Sequence, residues 1–376
     1  MVINRLRHIF ETDPCLQQQM MQVLFNAACS NPDRHTNPVR SLDELYLWLE
    51  RFLTVMPWEG LTDGARNKEQ RTKTASLKEQ GAKNKEQGLF RRIDQSIGYM
   101  YFIFGDLQYE PRIAEWLKQY NAAWAEHLNS AESWNSEYYE LLKSDPLFEL
   151  DTDKYESPEN WHSWNDFFSR RLNSKSQVPW VAEGQQHPWL PIEANSNLQV
   201  PEAIKTTDIF DIKALLGNSP YNDKFAGGSF MHITLDMYNY HHFHSPVDGR
   251  VLDIQEIDGQ LTSGGEIIWD AEQNRYRYRY DDNLGYQMIE KRVVIVMEQR
   301  AKTAALKEQG QLVAIVPIGV AQVGSVCIEK DITVGVEVHQ GQDLGHFLCG
   351  GSDVIVMEQR ARSKDRCAER AKTFVS

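Results

Sequence analysis

The sequence predicts an α+β protein: a helical N-terminal domain over residues 1–150 followed by a mostly antiparallel β domain over 151–376. Three observations carry this. From Pro14 to about Tyr139 apolar residues recur at three and four, the period of one helix face. From about Trp189 the period moves towards two, with β-branched runs set between glycines. Helices come first and strands after, an order that segregates them instead of alternating them into a parallel sheet.

Each element has its own signal. Ser41-Leu42-Asp43-Glu44 has the form of a capping box, in which the serine hydroxyl meets the backbone three residues on and Glu44 reaches back. Leu42, Leu45, Trp48, Leu49, Phe52, Leu53 and Met56 then form one apolar face, and Ile113, Trp116, Leu117, Tyr120 and Trp124 a second. Trp134, Tyr138 and Leu141 continue the bundle. Residues 64–88 break the pattern. Two near copies, 65–70 and 82–87, are rich in charge and lack apolar spacing, so a polar charged loop or exposed helical excursion is expected. Two other repeats, 73–81 with 302–310 and 294–301 with 354–361, have no regular period and announce no solenoid. Trp161, Trp164, Phe168 and Leu172 line a short helix, with Arg170 and Arg171 on its last turn, where the dipole favours cations. Strands are expected at 229–235, 250–257, 266–269, 292–297, 312–318, 321–328 and 332–338, with a short helix at Ala214-Leu215-Leu216.

Composition narrows the function. At 376 residues, one large or two modest domains are expected. The net charge of −13 argues against nucleic acid or an anionic membrane face as main partner. The five cysteines (Cys15, Cys29, Cys327, Cys349, Cys367) are scattered with no Cys-x-x-Cys pair, which signals neither a disulfide framework nor a zinc ribbon and favours a cytoplasmic protein. Met1 to Thr12 lacks the continuous apolar region of a secretory signal, and the run Ile97 to Phe104 is too short to span a bilayer, so no transmembrane segment is expected.

Two stretches carry candidate chemistry. Near the C-terminus, Gly350-Gly351-Ser352-Asp353 hands a serine to the apolar strand Val354-Ile355-Val356-Met357, and the glycines give the backbone freedom to bring a carbonyl against the serine hydroxyl. Upstream, Tyr240-His241-His242-Phe243-His244-Ser245-Pro246 supplies imidazoles, the natural bases near neutral pH. Three arrangements compete. A zinc hydrolase would use the pair His242 and His244 with His339 or His346 downstream, although no His-Glu-x-x-His is present. Residues 336–345 resemble the turn of a lipoyl-type carrier module, but no lysine occupies the tip. The third arrangement is self-cleavage before Ser352.

The order Phe-Phe-x-Arg-Arg-Leu (167–172), Tyr-His-x-x-His-x-Pro-x-x-Gly (240–249) and Gly-Gln-x-Leu-Gly-x-Phe (341–347) running into Gly-Gly-Ser favours the third. Across about 158–357 it resembles the phosphatidylserine decarboxylase family, and the helical extension is similar to the branch that includes L-tryptophan decarboxylase. The resemblance implies a precursor that cuts itself between Gly351 and Ser352 and turns Ser352 into a pyruvoyl group, the covalent cofactor that takes up electrons as carbon dioxide departs. It assigns His244 to the self-cleavage triad and His241 to the decarboxylation step. Asn195 stands where the family places the triad acid, so self-cleavage is expected to be slow or absent unless Glu193 or another carboxylate substitutes. The partners implied are the protein's own small subunit, Ser352 to Ser376, and a small-molecule substrate. An aromatic L-amino acid such as L-tryptophan is favoured over phosphatidylserine, given the acidic balance; a homo-oligomer is left open. An inactive family member acting as a binding protein is the remaining alternative.

Overall fold

The computed structural model describes residues 1–34, 36–55, 97–192, 211–262, 265–270, 275–280, 286–300, 310–320, 325–349 and 352–359. The charged stretch 64–88, the positions Glu193, Asn195 and Gly351, and the tail after Gln359 lie outside the described residues. Among those described, the helices are α1 (Val2–Thr12), α2 (Pro14–Ser30), α3 (Leu42–Phe52), α4 (Ile97–Phe104), α5 (Pro111–Leu128), α6 (Ser136–Lys143), α7 (Trp164–Phe168) and α8 (Ile212–Leu216). The strands are β1 (Gln185–Gln186), β2 (Leu190–Pro191), β3 (Ser229–Leu235), β4 (His242–His244), β5 (Gly249–Ile257), β6 (Gly265–Asp270), β7 (Arg275–Tyr280), β8 (Arg292–Gln299), β9 (Leu312–Gly319), β10 (Ser325–Ile328), β11 (Glu337–Val338), β12 (Asp343–Leu348) and β13 (Ser352–Glu358). The protein is α+β, as the periodicities predict.

The chain divides into two compact units, residues 1–116 with 263–281, and 117–262 with 282–376. In the first, α1 buries Ile3, Leu6 and Phe10, and α2 buries Leu16, Met20, Leu24 and Ala27, spacings of three and four that face one core. Asp13 caps α2 by accepting from Leu16 N at 3.0 Å. On α3 the Ser41 hydroxyl accepts from Glu44 N at 3.2 Å as expected, but Glu44 reaches back one residue further, to Arg40 N at 2.7 Å. Helix α4 is buried along its length at Tyr99, Met100, Tyr101, Ile103 and Phe104, which accounts for its apolar run without a membrane. No helix among the described residues is long and apolar enough to cross one. The antiparallel hairpin β6–β7 lies against α4.

The second unit is built on sheets. Its large sheet runs β1-β3-β13-β9-β8-β5-β11, with β2 also on β3, and every described pairing in it is antiparallel. One face buries Ile192, Phe230, Val294, Val296, Ala314, Val316, Ile355 and Met357 against Ile212, Leu215 and Leu216 of α8. Burying an aliphatic side chain of this size is worth about 1.5–3 kcal/mol, so β13, whose Val354, Ile355, Val356 and Met357 are all buried, is anchored inside the sheet between β3 and β9. A second sheet, β10-β12-β4, carries the imidazole segment.

Two expected elements differ. The stretch 332–338 is a strand only at Glu337–Val338, because Gly335 takes φ +94° and closes a turn in which Val336 N donates to Thr333 O. The short helix around Trp164 stops at Phe168, so Arg170 is not a last-turn cation. It is a fully buried side chain with a different task.

Candidate active site

Strand β13 opens with Ser352, whose backbone lies between Leu235 of β3 and Gly319 of β9. Central pairing on both sides fixes its position, and its side chain is buried. The Ser352 Oγ lies 3.3 Å from His241 Nδ1, across 111 residues of sequence. His241 Nε2 lies 3.3 Å from the carbonyl oxygen of Met237. A carbonyl only accepts, so Nε2 carries the proton; Nδ1 is then the bare nitrogen of a neutral ring, able to receive the serine proton. Complete burial, chiefly, and the nearby Arg170 charge hold His241 well below the usual histidine range, against the opposing pull of the Met237 carbonyl. The ring is held in plane by Phe168, stacked on it at 3.8 Å and 21°.

The segment leading into His241 is clamped from both sides. Arg170 donates to Tyr238 O at 2.7 Å and Asn239 O at 2.8 Å, and its guanidinium lies over the rings of Tyr155 and Phe167. Glu183 accepts from Tyr240 N at 2.7 Å and is itself paired with Lys154. The Phe-Phe-x-Arg motif therefore supplies both the ring that packs on His241 and the cation that shapes its approach. The motif at 341–347 supplies the turn at Gly341 and most of β12, which pairs with β4, and Phe347 N donates to His241 O at 2.9 Å. Glycine is needed at Gly345: a Cβ there would come within 2.1 Å of Cys327 O and 2.6 Å of the Phe243 ring.

His244, expected opposite the serine, is engaged elsewhere. Its Nδ1 lies 3.1 Å from Gly341 O and its Nε2 3.2 Å from Tyr240 OH, and burial lowers its pKa. The structure thus brings Ser352 to His241 and not to His244. Of the zinc ligands considered, His242 and His346 come together, with Glu329 as the third member; His244 and His339 are not in that group among the described residues.

One cluster escaped the sequence reading. Asp353, next to Ser352 and pointing to the other face of β13, lies 3.0 Å from His232 Nε2 and accepts from Gln287 Nε2 at 3.2 Å. His187 stacks on His232 at 4.9 Å and meets Thr234 Oγ1 at 3.0 Å. The signal was present: His232 and Asp353 are polar residues at inward positions of otherwise apolar strands.

A buried serine facing an imidazole, on a β-sheet scaffold, makes position 352 the candidate reacting centre. The sequence model of the phosphatidylserine decarboxylase family matches residues 164–374, more than half the chain, and the chain belongs to that family. Members are generally pyruvoyl-dependent decarboxylases. Among similar proteins, the phosphatidylserine decarboxylase proenzyme 2 of Oryza sativa subsp. japonica is 28% identical over 66% of this chain and 37% of its own length. An L-tryptophan decarboxylase of Psilocybe cubensis is 28% identical over 51% of this chain and 45% of its own. The phosphatidylserine decarboxylase proenzyme of Fusobacterium nucleatum is 26% identical over 56% and 65%. The matches therefore span between about a third and two thirds of these relatives.

Proposed function

We propose that this chain is the precursor of a pyruvoyl-dependent decarboxylase that cuts itself between Gly351 and Ser352. The observation that carries the reading is the contact of Ser352 Oγ with the bare Nδ1 of His241, whose other nitrogen is tied to Met237 O. His241 takes the hydroxyl proton and Oγ bonds to the Gly351 carbonyl carbon; the carbon–nitrogen bond to Ser352 breaks as that nitrogen gains a proton. Loss of the Ser352 Cα proton then expels the Gly351 carboxylate. Water hydrolyses the resulting enamine, releases ammonia and leaves a pyruvoyl group at residue 352. When present, that group supplies an electron sink for decarboxylation. The residues around it fit: His241 is within reach of a reacting atom at position 352, Phe168 excludes water from the ring face, and Arg170 with Glu183 holds the segment in register. Asn195 is proposed to influence cleavage from the triad-acid position, and the Met237 carbonyl supports the ring orientation that an acid would otherwise set.

The favoured substrate is a free aromatic L-amino acid such as L-tryptophan, supported by the net charge of −13 and by the tryptophan decarboxylase relatives. Phosphatidylserine is the second reading, supported by the names of the Oryza and Fusobacterium relatives. Carbon dioxide release from carboxyl-labelled tryptophan and phosphatidylserine, assayed side by side, tests the choice. Release from tryptophan alone is the expected result; release from phosphatidylserine alone overturns it.

A further inference from the structure

On the second sheet, a row of side chains runs across the strands on the face opposite Phe243. His242 of β4 stands directly opposite His346 of β12, and His346 directly opposite Cys327 of β10. Residues paired in this way share a face. Glu329, just beyond β10, lies 3.3 Å from His346 Nδ1. One ligand atom from each of His242, Glu329 and His346 lies within 4.8 Å of the others. Ligand atoms around a tetrahedral ion with bonds of about 2.0–2.1 Å sit roughly 3.4 Å apart, so side-chain movements of about an ångström would close the set.

We propose that His242, Glu329 and His346 form a binding site for a divalent cation of the zinc type. Two imidazoles and a carboxylate favour zinc or cobalt over calcium or magnesium, which prefer all-oxygen shells. Three protein ligands leave a fourth position for water. His242 is 1% exposed while His346 and Glu329 are 22% and 25% exposed, so the ion has a buried floor and a partly open side. Whichever His242 nitrogen binds gives up its present partner, Asp343 Oδ2 at 2.8 Å or Ser169 O at 3.0 Å. With Nε2 as the ligand atom, the Nδ1 contact to Asp343 Oδ2 is kept, and Asp343 is the carboxylate that orients the ring. Arg171 now occupies both carboxylates, at 3.0 Å from Glu329 and 3.1 Å from Asp343, with a side chain 54% exposed that can swing into solvent. The site belongs to the same sheet as the approach to His241 but to its other face. It does not depend on cleavage at residue 352.

The test titrates chelator-treated full-length protein with cobalt chloride, followed by zinc competition. One equivalent is expected, with an apparent Kd of about 1 μM or tighter and the visible absorption of a four-coordinate site without thiolate bands. Glu329→Gln and His346→Ala should each weaken binding at least tenfold, by about the loss expected for a removed ligand partner. Arg171→Gln should tighten it by removing a competing charge, and Ser352→Ala should leave it unchanged. Failure of the wild-type chain to take up one equivalent overturns the site, as does uptake that persists in Glu329→Gln and His346→Ala. Should His346→Ala not fold, Glu329→Gln and Arg171→Gln carry the test, and no change in either overturns it.

Discussion

Replacing His241 with glutamine separates two histidines that the sequence alone could not. The amide can still donate to Met237 O and sit beside Phe168, but it cannot take up a proton. General-base catalysis contributes roughly 10²–10⁴ in rate. At 3.3 Å the Ser352–His241 contact is at the loose end of a working hydrogen bond, so a loss of about 10²–10³ is expected, equal to about 2.7–4.1 kcal/mol at 1.36 kcal/mol per decade. The fold should lose only about 1–2 kcal/mol, from weaker stacking and one buried hydrogen bond. In His244→Gln the partners lost are Tyr240 OH and Gly341 O, and the cleavage rate should stay within about tenfold of wild type, since no general base is removed. The assay is cell-free synthesis of each variant with a timed denaturing gel, and thermal unfolding of the products as the control. Normal cleavage in His241→Gln together with none in His244→Gln would refute the reasoning and give the base to His244.

Arg170→Met should cost about 1.5–3 kcal/mol in denaturant unfolding, because it removes the charged donor from the partly buried carbonyls of Tyr238 and Asn239; a change under about 0.5 kcal/mol would show that water replaces it. Glu290 is completely buried, which pushes its pKa well above the usual carboxylate range despite hydrogen bonds from Thr262 and the charge of Arg292, with Asp353 adding to the rise. The folded state therefore holds a proton that the unfolded chain releases above about pH 4.5, and Glu290 costs stability as pH rises from there, by at most about 1.4 kcal/mol per pH unit. Glu290→Gln should unfold at higher denaturant than wild type at neutral pH, with the gap closing near pH 4; an equal gap at both pH values would contradict the shift. Asn195→Asp is expected to speed cleavage in the same cell-free assay, and an unchanged rate would remove Asn195 from the triad-acid position.

Much of the fold was legible because long periodic segments state their own geometry. The Leu45, Trp48, Leu49 and Phe52 face and the β-branched run of β13 are buried as their spacing required. Position 335 was not legible, since a period of two continues through Gly335 while its φ of +94° ends the strand. Arg170 was misplaced for a related reason: the apolar spacing of Trp161, Trp164 and Phe168 looks like a longer helix than the one that forms. At the site, the residue types were readable but their pairing was not. His241 and His244 lie on opposite faces of one short extended segment, and which face meets Ser352 is set by sheet pairing more than a hundred residues away. His232 and Asp353 were hidden inside apolar strands, where a lone polar residue signals a partner without naming it.

The most direct test is the intact mass of the purified chain, with and without borohydride. The account predicts two fragments, the smaller beginning at residue 352 with a pyruvoyl group that gains two hydrogens on reduction, and a single uncut chain from Ser352→Ala. An active preparation that stays one species of 43.5 kDa, unchanged by borohydride, would contradict it.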